Sequence, residues 1–115
     1  MSVTTIKVPA AHIDAIRESL LSGRRHSARA DEIDRLLEQI HADAAPGSEP
    51  RELTASRAVL WSAVYDSVCA AAERLAEDCN EYWRGVVDPS AARARIAEIG
   101  ERFALLESLG PPPGS

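Results

Sequence analysis

The chain has 115 residues, a formal net charge of −5, 45% apolar and 27% charged residues, enough for one domain with its own core and no disulfide or metal staple. Basic and acidic residues number 6 and 7 up to Gly47 and 7 and 11 after it, so neither half carries the concentrated positive face that phosphate binding uses, and nucleic-acid binding is disfavoured. Only five residues are aromatic while Ala is abundant, and small side chains let helix axes approach, which favours a helical bundle over a layered α/β fold.

Residues 3–8 (VTTIKV) alternate, with Thr4, Ile6 and Val8 on one side and Val3, Thr5 and Lys7 on the other, and they are rich in β-branched side chains. They form the one strand candidate seen in the sequence. A lone strand must pair with a second copy, cap the bundle or remain loose. Pro9 suits the first helical position, and Ile13, Ile16 and Leu20 follow at helical spacing, giving a helix over about 10–22 that Gly23 ends. Ser27 is a candidate cap for a second helix over 28–44, whose stripe is Ala30, Ile33, Leu37, Ile40 and Ala44, widened by Leu36. Its early Asp31, Glu32 and Asp34 suit the helix dipole.

Ala45–Pro50 (APGSEP) is the clearest internal break. The long segment 51–83 then reads as a single helix capped by Ser48 or Thr54. Its apolar stripe of Leu60, Val64, Val68, Ala71, Leu75, Cys79 and Tyr82 recurs at steps of 3 and 4. Arg84–Val87 closes it. Asp88-Pro89 opens a last helix over 89–109 with a seam of Ala92, Ile96, Ile99, Phe103 and Leu106, an outward Glu98–Arg102 pair and Gly100 as a point of close helix approach. The expected fold is all-α: an antiparallel bundle of four helices with a short extended N-terminal segment. It forms a single domain over 1–110, followed by a disordered tail at 111–115.

Chemistry-bearing patterns are sparse. His12, His26 and His41 with Cys69 and Cys79 form no C-x-x-C, H-E-x-x-H or i,i+4 ligand pair, so no metal site and no cofactor is expected. The cysteines lie too far apart on one helix for a disulfide and read as core residues in a reducing compartment. Asp66, beside Tyr65 on the long helix, is the one carboxylate at the edge of an apolar stripe. No phosphate loop or nucleophile motif is present, and no cleft equipped for reaction is expected. With no membrane-length apolar run and no leader, the expected location is cytoplasmic. These features point to a non-enzymatic helical interaction or scaffold protein, self-associating as a homodimer. Trp61, Tyr65, Tyr82 and Trp83 along the long helix are the candidate interface. A small-molecule pocket lined by Trp61, Tyr65 and Tyr82 is a further reading.

The N-terminal stretch TTIKVPAAHIDAIRESL followed by DEIDRLLEQI resembles the ribbon-helix-helix DNA-binding domain, over about 40 of the 115 residues. That resemblance implies a DNA-binding regulator whose strand pairs with its copy in a second chain, with Val3, Thr5 and Lys7 facing the bases and Ser27 near a phosphate. Trp83-Arg84-Gly85 looks like the W-x-G turn of the small secreted WXG100 helical hairpins. Chain-wide, the layout is similar to small uncharacterised helical proteins of high-GC bacteria, an origin also suggested by Arg supplying twelve of the thirteen basic residues.

Overall fold

A computed structural model describes residues 3–24, 29–42, 51–85 and 89–112. In chain order the elements are β1 (Thr4–Val8), α1 (Ala10–Arg24), α2 (Ala30–Ala42), β2 (Arg51–Ala55), α3 (Arg57–Trp83) and α4 (Pro89–Ser108). Four helices and an extended start are as the sequence predicts. The candidate caps Ser27, Ser48 and Asp88, the break at 45–50 and the Val86–Val87 end of the segment closing the long helix lie outside the described residues.

The main departure is at residues 51–55, which form a strand and not the first turns of the long helix. β2 pairs antiparallel with β1, setting Ile6 opposite Leu53 and Thr4 opposite Ala55. The alternation in β1 was legible, because Ile6 and Val8 point inward and Thr5 and Lys7 outward. In β2 the same two-residue period is short and disguised by helix-compatible Glu52, Leu53 and Ala55. Leu53 and Ala55 nevertheless enter the core, and the pairing satisfies backbone groups of β1 that a helix could not reach. Gln39 of α2 clamps the strand from outside. Thr54 N–H donates to Gln39 Oε1 at 2.9 Å, and Gln39 Nε2 donates to the Thr54 carbonyl at 2.8 Å.

The cap of α3 is therefore Ser56, whose extended backbone starts the helix and whose hydroxyl accepts from Val59 N–H. Glu32 of α2 holds the Ser56 N–H at 2.6 Å, so the α3 start is tied to α2. With 27 residues α3 is about 40 Å long. α1 does not stop at Gly23 but runs through Arg24, where the guanidinium pairs with Asp34 of α2 at 2.6 and 3.0 Å.

One core joins the inward faces of β1, β2, α1 and α2 to Val59, Leu60, Ala63 and Val64 of α3 and to Leu106 and Leu109 at the end of α4. The end of α4 is fastened to the start of α3. Arg57 Nη1 donates to the Leu109 carbonyl at 3.0 Å and also to that of Pro111, and Trp61 Nε1 donates to the Gly110 carbonyl at 3.3 Å. The Pro111 carbonyl, at the start of the expected tail, is thus an acceptor for α3, and residues 113–115 lie outside the described residues. Gly110, at φ +86°, makes the left-handed turn that lets α4 end there.

Fully buried residues of α3 stop at Ala71 and those of α4 begin at Arg102, so the far half of the α3–α4 hairpin projects beyond the core as a two-helix arm. The radius of gyration agrees: 15.2 Å, against about 13 Å for a compact chain of this length.

Candidate functional site

Two features stand out on the hairpin, one on each side. Beneath α1, polar groups converge where none were expected. Arg102 of α4 is 4% exposed, and its pairing with Glu98 points into the protein, not outward as the sequence suggested. Its Nε donates to His12 Nδ1 at 3.1 Å, its Nη1 to the Ser67 carbonyl at 3.0 Å and its Nη2 to Glu98. His12, 2% exposed, has its Nε2 at 2.6 Å from Glu101. An Nδ1 that accepts from a guanidinium places the imidazole proton on Nε2, facing the carboxylate. Burial lowers the Arg102 pKa from its ordinary value, while Glu98 raises it.

This node borders a groove of about 680 Å³ between α1, α3 and α4, lined by Asp14, Glu18, Asp66 and Glu98 on the acidic side and by Arg74 and Arg102 on the basic. Burial raises the Asp66 carboxyl above the usual range, the expected effect for a carboxylate at the edge of a packed helix. In chemical terms the node is closed on itself. The three groups of Arg102 that donate and both nitrogens of His12 have partners inside the protein, so the cluster fastens α1 to the hairpin and aims no free group into the groove. Its sequence signal was present but misassigned: Arg95, Glu98 and Arg102 follow at steps of 3 and 4, the spacing of one helix face. Arg95 bridges Glu98 at 2.8 Å and Asp78 of α3 at 3.3 Å, so the α3–α4 seam is partly ionic.

The opposite side of the hairpin is bare. On α3, Tyr65, Cys69, Ala72, Ala76, Cys79 and Trp83 follow at steps of 4, 3, 4, 3 and 4, and all are exposed. They lie about 100–180° round the helix from Ala70, which lines the groove beneath α1. On α4, Ile96 and Phe103 are 57% and 49% exposed, about 140–160° round from Glu101, the residue that meets His12. Both stripes therefore look to the side away from α1. Several expectations are corrected here. Ile96 and Phe103 are not in the seam, Cys69 and Cys79 are surface thiols and not core residues, and the end of the predicted α3 stripe, at Cys79 and Tyr82, is solvent-facing. Gly100 has open space where a Cβ would sit, not a neighbouring helix.

Of the interface candidates, Trp61 and Tyr65 stack with centroids 5.0 Å apart and planes 13° from parallel, Tyr82 is half exposed and Trp83 is 88% exposed. Trp61 and Tyr65 thus flank the bare face, and the groove beneath α1 is lined by other residues than the aromatic set proposed for a pocket. Hydrogen bonding to the neighbouring Cys69 thiol raises the Tyr65 hydroxyl pKa.

The residues implicated by the DNA-binding resemblance are differently placed. β1 takes its partner from its own chain, and the Thr5 hydroxyl is hydrogen-bonded to that of Thr54 at 2.8 Å. Val3 and Lys7 are exposed, and Ser27 lies outside the described residues. Among the described residues no group of three or more His, Cys, Asp or Glu side chains is arranged to hold a metal ion, and no helix is long and apolar enough to cross a membrane. No family model, no curated protein and no solved structure matches the chain.

Proposed function

We propose that the protein acts by association between helical faces and not by catalysis: a small scaffold that binds a second copy of itself through the α3–α4 hairpin. The observation that carries this reading is the bare side of the arm, where Trp83, Ile96 and Phe103 stand at 88%, 57% and 49% exposure. A large apolar surface of this kind on a chain of this size marks an interaction site. Free thiols at Cys69 and Cys79 suit a reducing cytoplasm.

Sedimentation velocity over a range of concentrations tests it. The expected result is a dimer for the native chain and a monomer for Phe103→Glu, with unchanged helical circular dichroism. A native chain that stays monomeric at the highest attainable concentration overturns the reading.

A further inference from the structure

The six residues of the bare α3 stripe are symmetric about one point. Tyr65 and Trp83 stand nine residues either side of Arg74, Cys69 and Cys79 stand five, and Ala72 and Ala76 stand two. From either end the order is aromatic, cysteine, alanine, alanine, cysteine, aromatic. A two-fold dimer needs a self-complementary patch, and for helices crossing antiparallel this means a stripe that reads alike in both directions.

We propose that two copies dock through this face with their α3 helices antiparallel about a two-fold axis at the level of Arg74, so that Cys69 of one copy lies against the partner's Cys79. This rests on the self-association reading and specifies its geometry. Small residues at the middle of the stripe let the helix axes approach. The bulky ends then fill the space on either side: the partner's Trp83 comes to the Trp61–Tyr65 stack of the first copy, once at each end of the dimer.

Charge selects the same direction. Asp66 and Arg84 are both exposed and lie on the same flank of the face, about 90° from its centre. Antiparallel docking brings Asp66 close to the partner's Arg84, two residues off the symmetric position, and does so twice. Parallel docking would put Asp66 and its own copy on opposite flanks and would bring Asp66 to no partner Arg84.

The area is sufficient. Residues 65–83 span about 27 Å of helix, and two helices about 10 Å wide give roughly 500 Å² per copy, or about 1,000 Å² in total, the lower bound for a specific interface. α4 contributes to it, since Ile96 stands near the level of the axis and Phe103 extends the apolar surface toward the core.

A short bis-maleimide, which joins two thiols without any redox step, tests the direction. Antiparallel docking predicts a cross-linked dimer for the native chain, none for Cys69→Ser or Cys79→Ser alone, and recovery when the two variants are mixed. A cross-link that survives in either single variant overturns the antiparallel arrangement while leaving self-association intact. Sedimentation of the same samples identifies the other failure: a monomer removes both proposals. As a check independent of thiols, Asp66→Arg should weaken the dimer at least tenfold at low salt, and adding Arg84→Asp should restore it. Absence of that rescue counts equally against the geometry.

Discussion

Arg102 Nε and His12 Nδ1 lie 3.1 Å apart, joining two buried side chains that are 90 positions apart in the chain. Removing one member of a buried, hydrogen-bonded charge network leaves the others without partners. Arg102→Ala is therefore expected to cost about 3–5 kcal/mol in urea unfolding. Together with His12→Ala it should be non-additive by about 1 kcal/mol or more in a double-mutant cycle. A loss below about 1 kcal/mol for Arg102→Ala would show that the node does not hold α1.

Gln39 satisfies both backbone groups of Thr54 on the open edge of β2. Gln39→Ala should cost about 1–2 kcal/mol for two hydrogen bonds. Hydrogen exchange gives the local readout: the Thr54 amide should lose protection far more than the amides inside α3. Equal loss everywhere would mean that only global stability had changed.

The Glu32 carboxyl is held below its usual range, chiefly by its hydrogen bond from Ser56, with Arg29 and Arg35 adding to this against the opposing effect of burial. A group whose folded pKa is depressed contributes stability above its unfolded pKa of about 4.3 and loses it as pH falls through the lower folded value. Unfolding midpoints measured from pH 7 to 3 should fall more steeply for the native chain than for Glu32→Gln. Parallel curves would refute the linkage.

Two glycines should respond to alanine in opposite directions. Gly110 sits at φ +86°, where an L side chain is strained, so Gly110→Ala should destabilise by about 1 kcal/mol or more. Gly23 lies inside α1 with open space where a methyl group would go, and Gly23→Ala should stabilise by about 0.5–1 kcal/mol. Thermal melts of the two variants should bracket the native midpoint.

The helices and β1 were legible because each had several residues of consistent period. β2 was not, since five residues give only two inward positions, Leu53 and Ala55, and both types also suit a helix. Assigning 51–55 to the helix moved the cap away from Ser56. The α4 seam was misread for a different reason. Hydrophobic periodicity assumes that the inward face is the apolar one, whereas α4 turns Arg95, Glu98 and Arg102 inward, where ion pairing offsets their desolvation, and leaves Ile96 and Phe103 outside. The aromatics named as a candidate interface do all lie on α3. That Tyr65 and Trp83 belong to a symmetric stripe became visible only once the inward face of α3 was known.

The node beneath α1 has a consequence for how that helix can sit. Greasy surfaces tolerate sliding, because one methyl replaces another at small cost. Here a shift of one turn along the hairpin would leave Arg102 Nε, Glu101 and both nitrogens of the imidazole unmatched at once. The contact therefore behaves as a detent, with one seat for α1 and a steep climb on either side of it.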